Sequence, residues 1–561
     1  MSTSRPPFVM IVRDGWGENP HAWHDGFNAV KIARERGLTP VDDALRRDWP
    51  WAYVRTSGLD VGVPADQTGN SEVGHQNIGA GRIVDQEVVR ISKACESGEI
   101  AENGAIKGAI LAAKKSGAMV HLMGIASDAG VHGLLAHLYA LLRACKKHGQ
   151  LKVAVHLFTD GRDTPPQSGR GYIRQIQEQI DAVGIGVIAT VAGRYFAMDR
   201  DFRWERVQLA YDALTGRGGF TTAASADAAV ERAYKHPATP SQNGDEFVHP
   251  VAIGATPEGV RATRIKDGDS VIFYNYRGDR PRELAMAFVL DDAQWAGVKA
   301  SPDSGVRGFD RGERVRTEFV AMTAWSQDLA PLMKVAFDKP PKLVGILGEV
   351  LSKAGLRQLR VAETEKFPHV TFFFNDYREA PFAGEERINP PSPRVATYDL
   401  KPEMSAAAVR DAVLGALASA ARPDVVIVNF ANCDMVGHTG NLEAAITAVG
   451  VTDACVGAIV EATLKLGGKL VVLADNGNAE PWWDPESNCP HTAHTMYDVP
   501  VYAIGAGLEG RRLRGDQERA GYLDAGTRAG RGRLADIAPT VLEMMGLPKV
   551  PEMTGQSLLK A

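Results

Sequence analysis

Short unbroken apolar runs recur along the chain, each closed by polar or turn-forming residues. They are "PFVMIV" (7–12), "AMVHLMGI" (118–125), "LKVAVHLFTD" (151–160), "IGVIATVAG" (185–193), "SVIFYNY" (270–276), "DVVIVNF" (424–430), "KLVVLAD" (469–475) and "VPVYAIG" (499–505). Runs of this length read as strands buried on both faces. Longer stretches between them, such as 132–149 and 442–467, carry apolar residues at helical spacing. Strands alternating with amphipathic helices predict an α/β fold with mainly parallel sheets. In that class ligands collect at the carboxyl ends of strands. Those ends carry Asp14, Ser127-Asp128, Asp160 to Asp163, Arg194, Asn275 to Arg280, Asn432 to His438, and Asp475. The segment "FDKPPK" (337–342) reads as a linker, and a second boundary falls near 85–90. The two crossings enclose an insertion. Residues 1–86 and 333–561 are expected to form one domain and 87–332 another.

The stretch before the second crossing, "ADQTGNSEVGHQNIGAGR" (65–82), crowds glycines around Ser71. Glycine allows close approach of a ligand to the backbone. Ser71 is therefore a candidate nucleophile, but a serine hydroxyl must be activated by a base or a metal. Candidate metal ligands stand at strand ends. Asp434 and His438 are four apart in "NFANCDMVGHTGN", Asp475 closes another strand, and His491 and His494 precede a third. Singly, each has a plain structural reading, such as an Asp capping the next helix. Together Asp14, Ser71, Asp434, His438, Asp475 and His494 make a mixed oxygen and nitrogen set suited to Mn²⁺, Zn²⁺ or Mg²⁺. Two cations held in this way would activate Ser71 and clamp phosphoryl oxygens. One glycine motif is set aside. Gly505-Ala-Gly507-Leu-Glu-Gly510 follows a strand, but "RRLRGDQERAGY" after it is a poor amphipathic helix, so it is not read as a nucleotide site.

Arginine is concentrated on three other loops. "FTDGRDTPP" carries Arg162 and Asp163, "AGRYFAMDRD" carries Arg194 and Arg200, and "RGDRPRE" carries Arg277 and Arg280, while Lys366 sits in "AETEKFPHV". Guanidinium forks match phosphate and carboxylate geometry, so three such loops point to an anion pocket. His132, in "SDAGVHGLL", joins them as a hydrogen-bonding candidate. Over 561 residues the formal net charge is only −5, which argues against bulk nucleic-acid binding. The five cysteines are scattered and read as reduced thiols of a cytoplasmic protein. No signal sequence or membrane-spanning run is recognised.

These motifs carry a resemblance. "DGWG", "GNSEVGHQNIGAGR", "SDAGVH", "FTDGRDTPP", "AGRYFAMDRD", "RGDRPRE", "AETEKFPHVTFFF", "NCDMVGHTGN", "NGNAE" and "HTAHT" stand in the order found in cofactor-independent phosphoglycerate mutases of the alkaline-phosphatase superfamily, and the chain resembles that family nearly end to end. The resemblance implies an alkaline-phosphatase-like, metal-binding domain split by an inserted α/β transferase domain. It implies interconversion of 3-phosphoglycerate and 2-phosphoglycerate through a phosphoserine. Carried over, Ser71 accepts the phosphoryl group, Asp163 moves protons on the glycerate, and Lys366 faces the transferring phosphoryl. His132, Arg162, Asp163, Arg194, Arg200, Arg277, Arg280 and Lys366 bind substrate. Two divalent ions are implied, Mn²⁺ first, with Mg²⁺ or Co²⁺ as substitutes. Asp434, His438 and His494 hold one ion, and Asp14, Ser71 and Asp475 the other. The family's usual "DHGN" reads "DNGN" here, so Asn476 occupies the place of a ligand histidine. The partner implied is the small substrate alone, with no nucleic acid and no membrane, for a cytoplasmic monomer. The alternatives are another phosphomutase of the superfamily, or a degenerate paralogue that binds phosphoglycerate without turnover.

Overall fold

The computed structural model describes residues 5–480, 483–484, 488–516 and 530–560. The chain divides into two compact units, one of residues 1–86 and 341–561, the other of residues 87–340. The second crossing lies inside "FDKPPK". It falls eight residues later than the expected start at 333, because the strand Lys334–Phe337 pairs in parallel with Glu318–Thr323 and so packs with the inserted unit.

Each unit is built on its own eight-stranded sheet. In the first unit the strand order is Glu385–Ile388, Gln358–Val361, Val425–Phe430, Phe8–Arg13, Lys469–Leu473, Val499–Ile504, Trp51–Arg55 and Gly532–Arg533. The first five run parallel, and Val499–Ile504 is antiparallel to both of its neighbours. In the second unit the order is Lys334–Phe337, Glu318–Thr323, Ser270–Phe273, Val120–Ala126, Val153–Thr159, Val187–Gly193, Val251–Ile253 and Thr221–Ala223. Only the pairing of Val187–Gly193 with Val251–Ile253 is antiparallel. The α/β, mainly parallel class expected from the alternation of strands and helices is the class observed.

The central strands are apolar throughout because both faces are covered. Side chains alternate between faces along a strand. In Phe8–Arg13, Phe8, Met10 and Val12 enter one hydrophobic layer while Val9 and Ile11 enter the other. In Val120–Ala126, Leu122 and Met123 likewise go to opposite layers. Arg13 breaks this pattern and is still buried. Its guanidinium donates to Asp42 at 2.7 Å and stacks on Trp16 and Tyr502. The helix Leu442–Lys465 is long and apolar enough for a membrane span, contrary to the expectation that no such run exists. Its apolar side, including Ile446, Val449, Val456 and Ile459, is packed into the layers of the first sheet.

Candidate active site

Three strands of the first sheet end side by side, and their following residues converge. Asp14 follows Phe8–Arg13, Asp434 lies one turn past Val425–Phe430, and Asp475 follows Lys469–Leu473. Gly15, at φ +78°, makes the approach possible. A Cβ there would stand 2.5 Å from the backbone nitrogen of Asp434. Ser71 opens the helix Ser71–Ala80, and Asn70 caps it by accepting from the Val73 amide at 3.0 Å. A helix start of this kind favours an anion.

Lys366 joins these parts. Its Nζ donates to Ser71 Oγ at 2.7 Å, to Asp14 Oδ1 at 2.9 Å and to Asp434 Oδ2 at 2.6 Å. Ser71 Oγ donates to Asp14 Oδ1 at 3.0 Å and accepts from Asn476 Nδ2 at 3.2 Å. All of these groups are buried. Burial would lower the Lys366 pKa, but Asp14 and Asp434 outweigh it and hold the ammonium above its ordinary range. Burial, with Asp475 and Asp434 nearby, pushes Asp14 up to about 6 despite Lys366. Asp434 goes the other way. Its burial is outweighed by Lys366, His438 and His494, which hold it well below the carboxylate range.

Two groups of side chains have the composition and spacing to hold a cation. In Asp434, His438 and His494, and again in Asp14, His75 and Asp475, one ligand atom from each residue lies within 4.8 Å of the others. In the first group His494 Nε2 is 3.0 Å and His438 Nε2 3.3 Å from Asp434 Oδ1, and the two imidazole nitrogens are 3.2 Å apart. The opposite nitrogens are engaged, His494 Nδ1 with Gly69 O at 2.9 Å and His438 Nδ1 with Thr492 O at 2.6 Å. That leaves each Nε2 aimed at Asp434, as a ligand pair must be. Burial lowers the His494 pKa, but Asp434 more than offsets this and carries it to about 9.

Three buried carboxylates, Asp14, Asp434 and Asp475, meet around Lys366. Both Asp475 oxygens, Asn476 Oδ1 and Asn478 Oδ1 are buried without a hydrogen-bond partner among the described residues. Clustered carboxylates, imidazoles and orphaned oxygens fit two divalent cations, because buried charges are ordinarily paired or coordinate metals. His75 escaped the sequence reading. The signal available was its place four residues after Ser71, which puts it on the same face of the helix. His491 does not join either group.

The second unit gathers the arginine loops around its own strand ends. Arg194 is buried, and its Nη1 donates to Asp160 Oδ1 and Asp163 Oδ2, each at 2.5 Å, while its Nη2 is 2.9 Å from His132 Nε2. Burial and the Arg194 charge push His132 down to about 4, so it is neutral near pH 7. Arg200 reaches Asp279 Oδ2 at 3.1 Å, and Arg277 reaches Asp279 Oδ1 at 3.2 Å. Arg280 donates to Met198 O at 3.1 Å. Burial lowers the Arg280 pKa, and Arg194, Arg200 and Arg162 add repulsion, so four guanidiniums share one field. Arg162 reaches outward to Glu246 at 3.4 Å and is largely exposed. Asp279 was also missed from sequence, though it lies between Arg277 and Arg280 in "RGDRPRE". The glycine motif at 505–510 is followed by turns up to residue 516, and residues 517–522 lie outside the described residues.

Comparison with known proteins decides the family. A protein of Rhodopirellula baltica named 2,3-bisphosphoglycerate-independent phosphoglycerate mutase is 49% identical over 563 residues, covering 100% of this chain and 98% of that protein. The chain belongs to the 2,3-bisphosphoglycerate-independent phosphoglycerate mutases. A Clostridium beijerinckii mutase of the same name is 46% identical, with 99% of both chains covered. The family model described as the BPG-independent PGAM N-terminus matches residues 91–327, nearly all of the second unit. Among solved structures, Leishmania mexicana phosphoglycerate mutase, crystallised at low cobalt concentration, has a TM-score of 0.56 at 32% identity, covering 99% of this chain and 98% of that one. In this mutase chain, position 476 lies against Ser71 with its amide nitrogen, the side of the carboxamide that cannot ligate a metal.

Proposed function

We propose that this chain interconverts 3-phosphoglycerate and 2-phosphoglycerate by way of a phosphoserine at Ser71. The observation that carries the reading is the setting of the Ser71 hydroxyl. It is buried at a helix N-terminus, 2.7 Å from an ammonium and flanked by two cation-ready groups. Asp434, His438 and His494 would hold one divalent ion. Asp14, Ser71 and Asp475 would hold the other, with Asn476 at its edge. Bound there, Mn²⁺, Mg²⁺ or Co²⁺ supplies charge that acidifies the Ser71 hydroxyl and offsets phosphoryl oxygens.

The protein groups divide the remaining work. Ser71 Oγ forms a bond to phosphorus as the bond from phosphorus to the glycerate oxygen breaks, and Lys366 faces the charge of the transferring group. The departing glycerate oxygen takes a proton, and the neighbouring hydroxyl gives one up before it attacks the phosphoserine. Asp163 carries these protons, and the Arg194 contact at 2.5 Å keeps its carboxylate in place. Arg162, Arg200, Arg277 and Arg280 bind the anionic ends of phosphoglycerate, and neutral His132 donates or accepts a hydrogen bond. The reaction needs no partner beyond this substrate, and we place the enzyme in the cytoplasm as a monomer. The test is an assay with 3-phosphoglycerate and, in parallel, ribose phosphates, in Mn²⁺ and after chelation. Turnover of phosphoglycerate alone, lost on chelation, is expected. Preference for a ribose phosphate would overturn the substrate assignment, and binding without turnover would leave a degenerate paralogue.

A further inference from the structure

His75 is fully buried one helical turn below Ser71, and both its ring nitrogens have partners. Nδ1 lies 2.9 Å from the Ser71 carbonyl oxygen and 3.1 Å from Asp475 Oδ2. Both partners only accept, so Nδ1 carries the proton. Nε2 lies 3.0 Å from Asn429 Nδ2, and the same Nδ2 is 2.8 Å from Asp14 Oδ2. The carboxylate of Asp14 also only accepts, which fixes the amide with its nitrogen inward. Its two N–H groups go one to Asp14 and one to the lone pair of His75 Nε2. Hydrogen bonds therefore run from the Ser71 carbonyl through His75 and Asn429 to Asp14, and Asp475 Oδ2 stands against the ring at 3.1 Å.

We propose that His75 and Asn429 act as a clamp that sets Asp14 and Asp475 facing one another as a cation-binding pair. The inference rests on the cation reading of the preceding section. Both are positioning residues. Asn429 holds Asp14 Oδ2 by a hydrogen bond, and the His75 ring, fixed by Asn429 and the Ser71 carbonyl, packs against Asp475 Oδ2. Asp14 Oδ1 meets Ser71 Oγ and Lys366, and both Asp475 oxygens are buried with no hydrogen-bond partner among the described residues, ready to face a cation. Two buried carboxylates without such a brace would turn apart, since like charges repel. Direct ligation by His75 would cost this bridge, because Nδ1 would have to give up its proton or Nε2 would have to give up Asn429.

Manganese binding to the full chain, stripped by chelation and titrated with Mn²⁺ while the free ion is counted by paramagnetic resonance, tests the clamp. The parent should bind two ions. His75→Leu should keep one at parental affinity and bind the other about 10–100-fold more weakly, the usual cost of losing an outer-shell partner. His75→Asn, which keeps a donor near the place of Nδ1, should recover part of the loss. Asn429→Leu should weaken the same ion, and the double variant should lose less than the two single losses combined, as links of one chain do. Circular dichroism checks the fold. If His75→Leu is unfolded, His75→Asn and Asn429→Leu decide the matter. Parental binding of both ions by His75→Leu would overturn the clamp, as would a parent that binds a single ion. An equal, full loss in His75→Leu and His75→Asn with parental binding by Asn429→Leu would make His75 a ligand instead. Turnover is read separately. A parent that binds two ions, loses one in these variants and does not convert phosphoglycerate would sink the activity and leave the clamp standing.

Discussion

Among single residues, Asn476 stands directly against the candidate nucleophile. Its amide nitrogen lies 3.2 Å from Ser71 Oγ, so any side chain at 476 borders both the nucleophile and the Asp14–Asp475 pair. Asn476→His would add an imidazole where a neutral amide now stands. We expect the second ion to bind about 10–100-fold more tightly, with faster turnover at limiting Mn²⁺ and little change at saturation. Calorimetric titration and rates over a range of Mn²⁺ check this, and identical metal dependence in parent and variant would remove position 476 from the cation site. His494 gives a second residue-scale expectation. Without metal its pKa is about 9, so below that pH a proton must leave before the imidazole can ligate. Affinity at Asp434, His438 and His494 should therefore fall as pH drops from 9 to 7, by up to about tenfold per unit for each proton displaced. The sign for the metal-free fold is opposite. The contact of His494 with Asp434 stabilises it fully below pH 6.5 and is lost as pH rises through about 9. Titrations in two buffers of different ionisation enthalpy measure the proton release, and pH-independent binding would contradict the ligand assignment.

Within the elements, the sequence was readable where packing imposes a plain rule and obscure where one residue breaks it. The strands Phe8–Arg13, Val153–Thr159 and Val425–Phe430 declare themselves because both faces are buried and every position is apolar or nearly so. The strand Gln358–Val361 does not, since Arg360 interrupts it, buried against Phe374 with its Nη2 donating to Gln358 Oε1 at 2.8 Å. Short edge strands such as Thr221–Ala223 are half polar for the same kind of reason, with one side open to water. At the site, Asp14, Asp434 and Asp475 were legible as polar residues closing apolar strands. The spacing of His75 places it on the Ser71 face of the helix, but nothing in the sequence says that Asp475 and Asn429 would meet its ring. The helix Ser71–Ala80 is itself seated by Gly74, where a Cβ would stand 3.0 Å from the Cβ of Asp475 and 3.1 Å from its carbonyl oxygen. Gly74→Ala should push Asp475 aside, costing about 1–3 kcal/mol of stability as overpacking does, and should weaken the second ion. Thermal melts with and without Mn²⁺ measure both, and an unchanged melting temperature and affinity would show that helix and strand end have slack.

For the whole molecule, the chemistry is distributed between two separately built units. The cation groups and Ser71 come from residues 1–86 and 341–561, and the arginine cluster from residues 87–340. Substrate binding and metal binding should then respond to different substitutions. Arg280→Ala is expected to lower kcat/KM for 3-phosphoglycerate about 10–100-fold, the worth of a charged hydrogen bond, with both Mn²⁺ affinities unchanged. A variant that loses metal and substrate together would contradict this division. The central claim, that Ser71 carries the phosphoryl group between the two positions of the glycerate, is tested most directly by the turnover of Ser71→Ala. The measurement is made at saturating Mn²⁺ and 3-phosphoglycerate, with the fold verified by circular dichroism. The account predicts a fall of about 10⁴–10⁶-fold, the scale seen when a covalent nucleophile is removed. A variant that keeps a substantial fraction of the parental rate would contradict it.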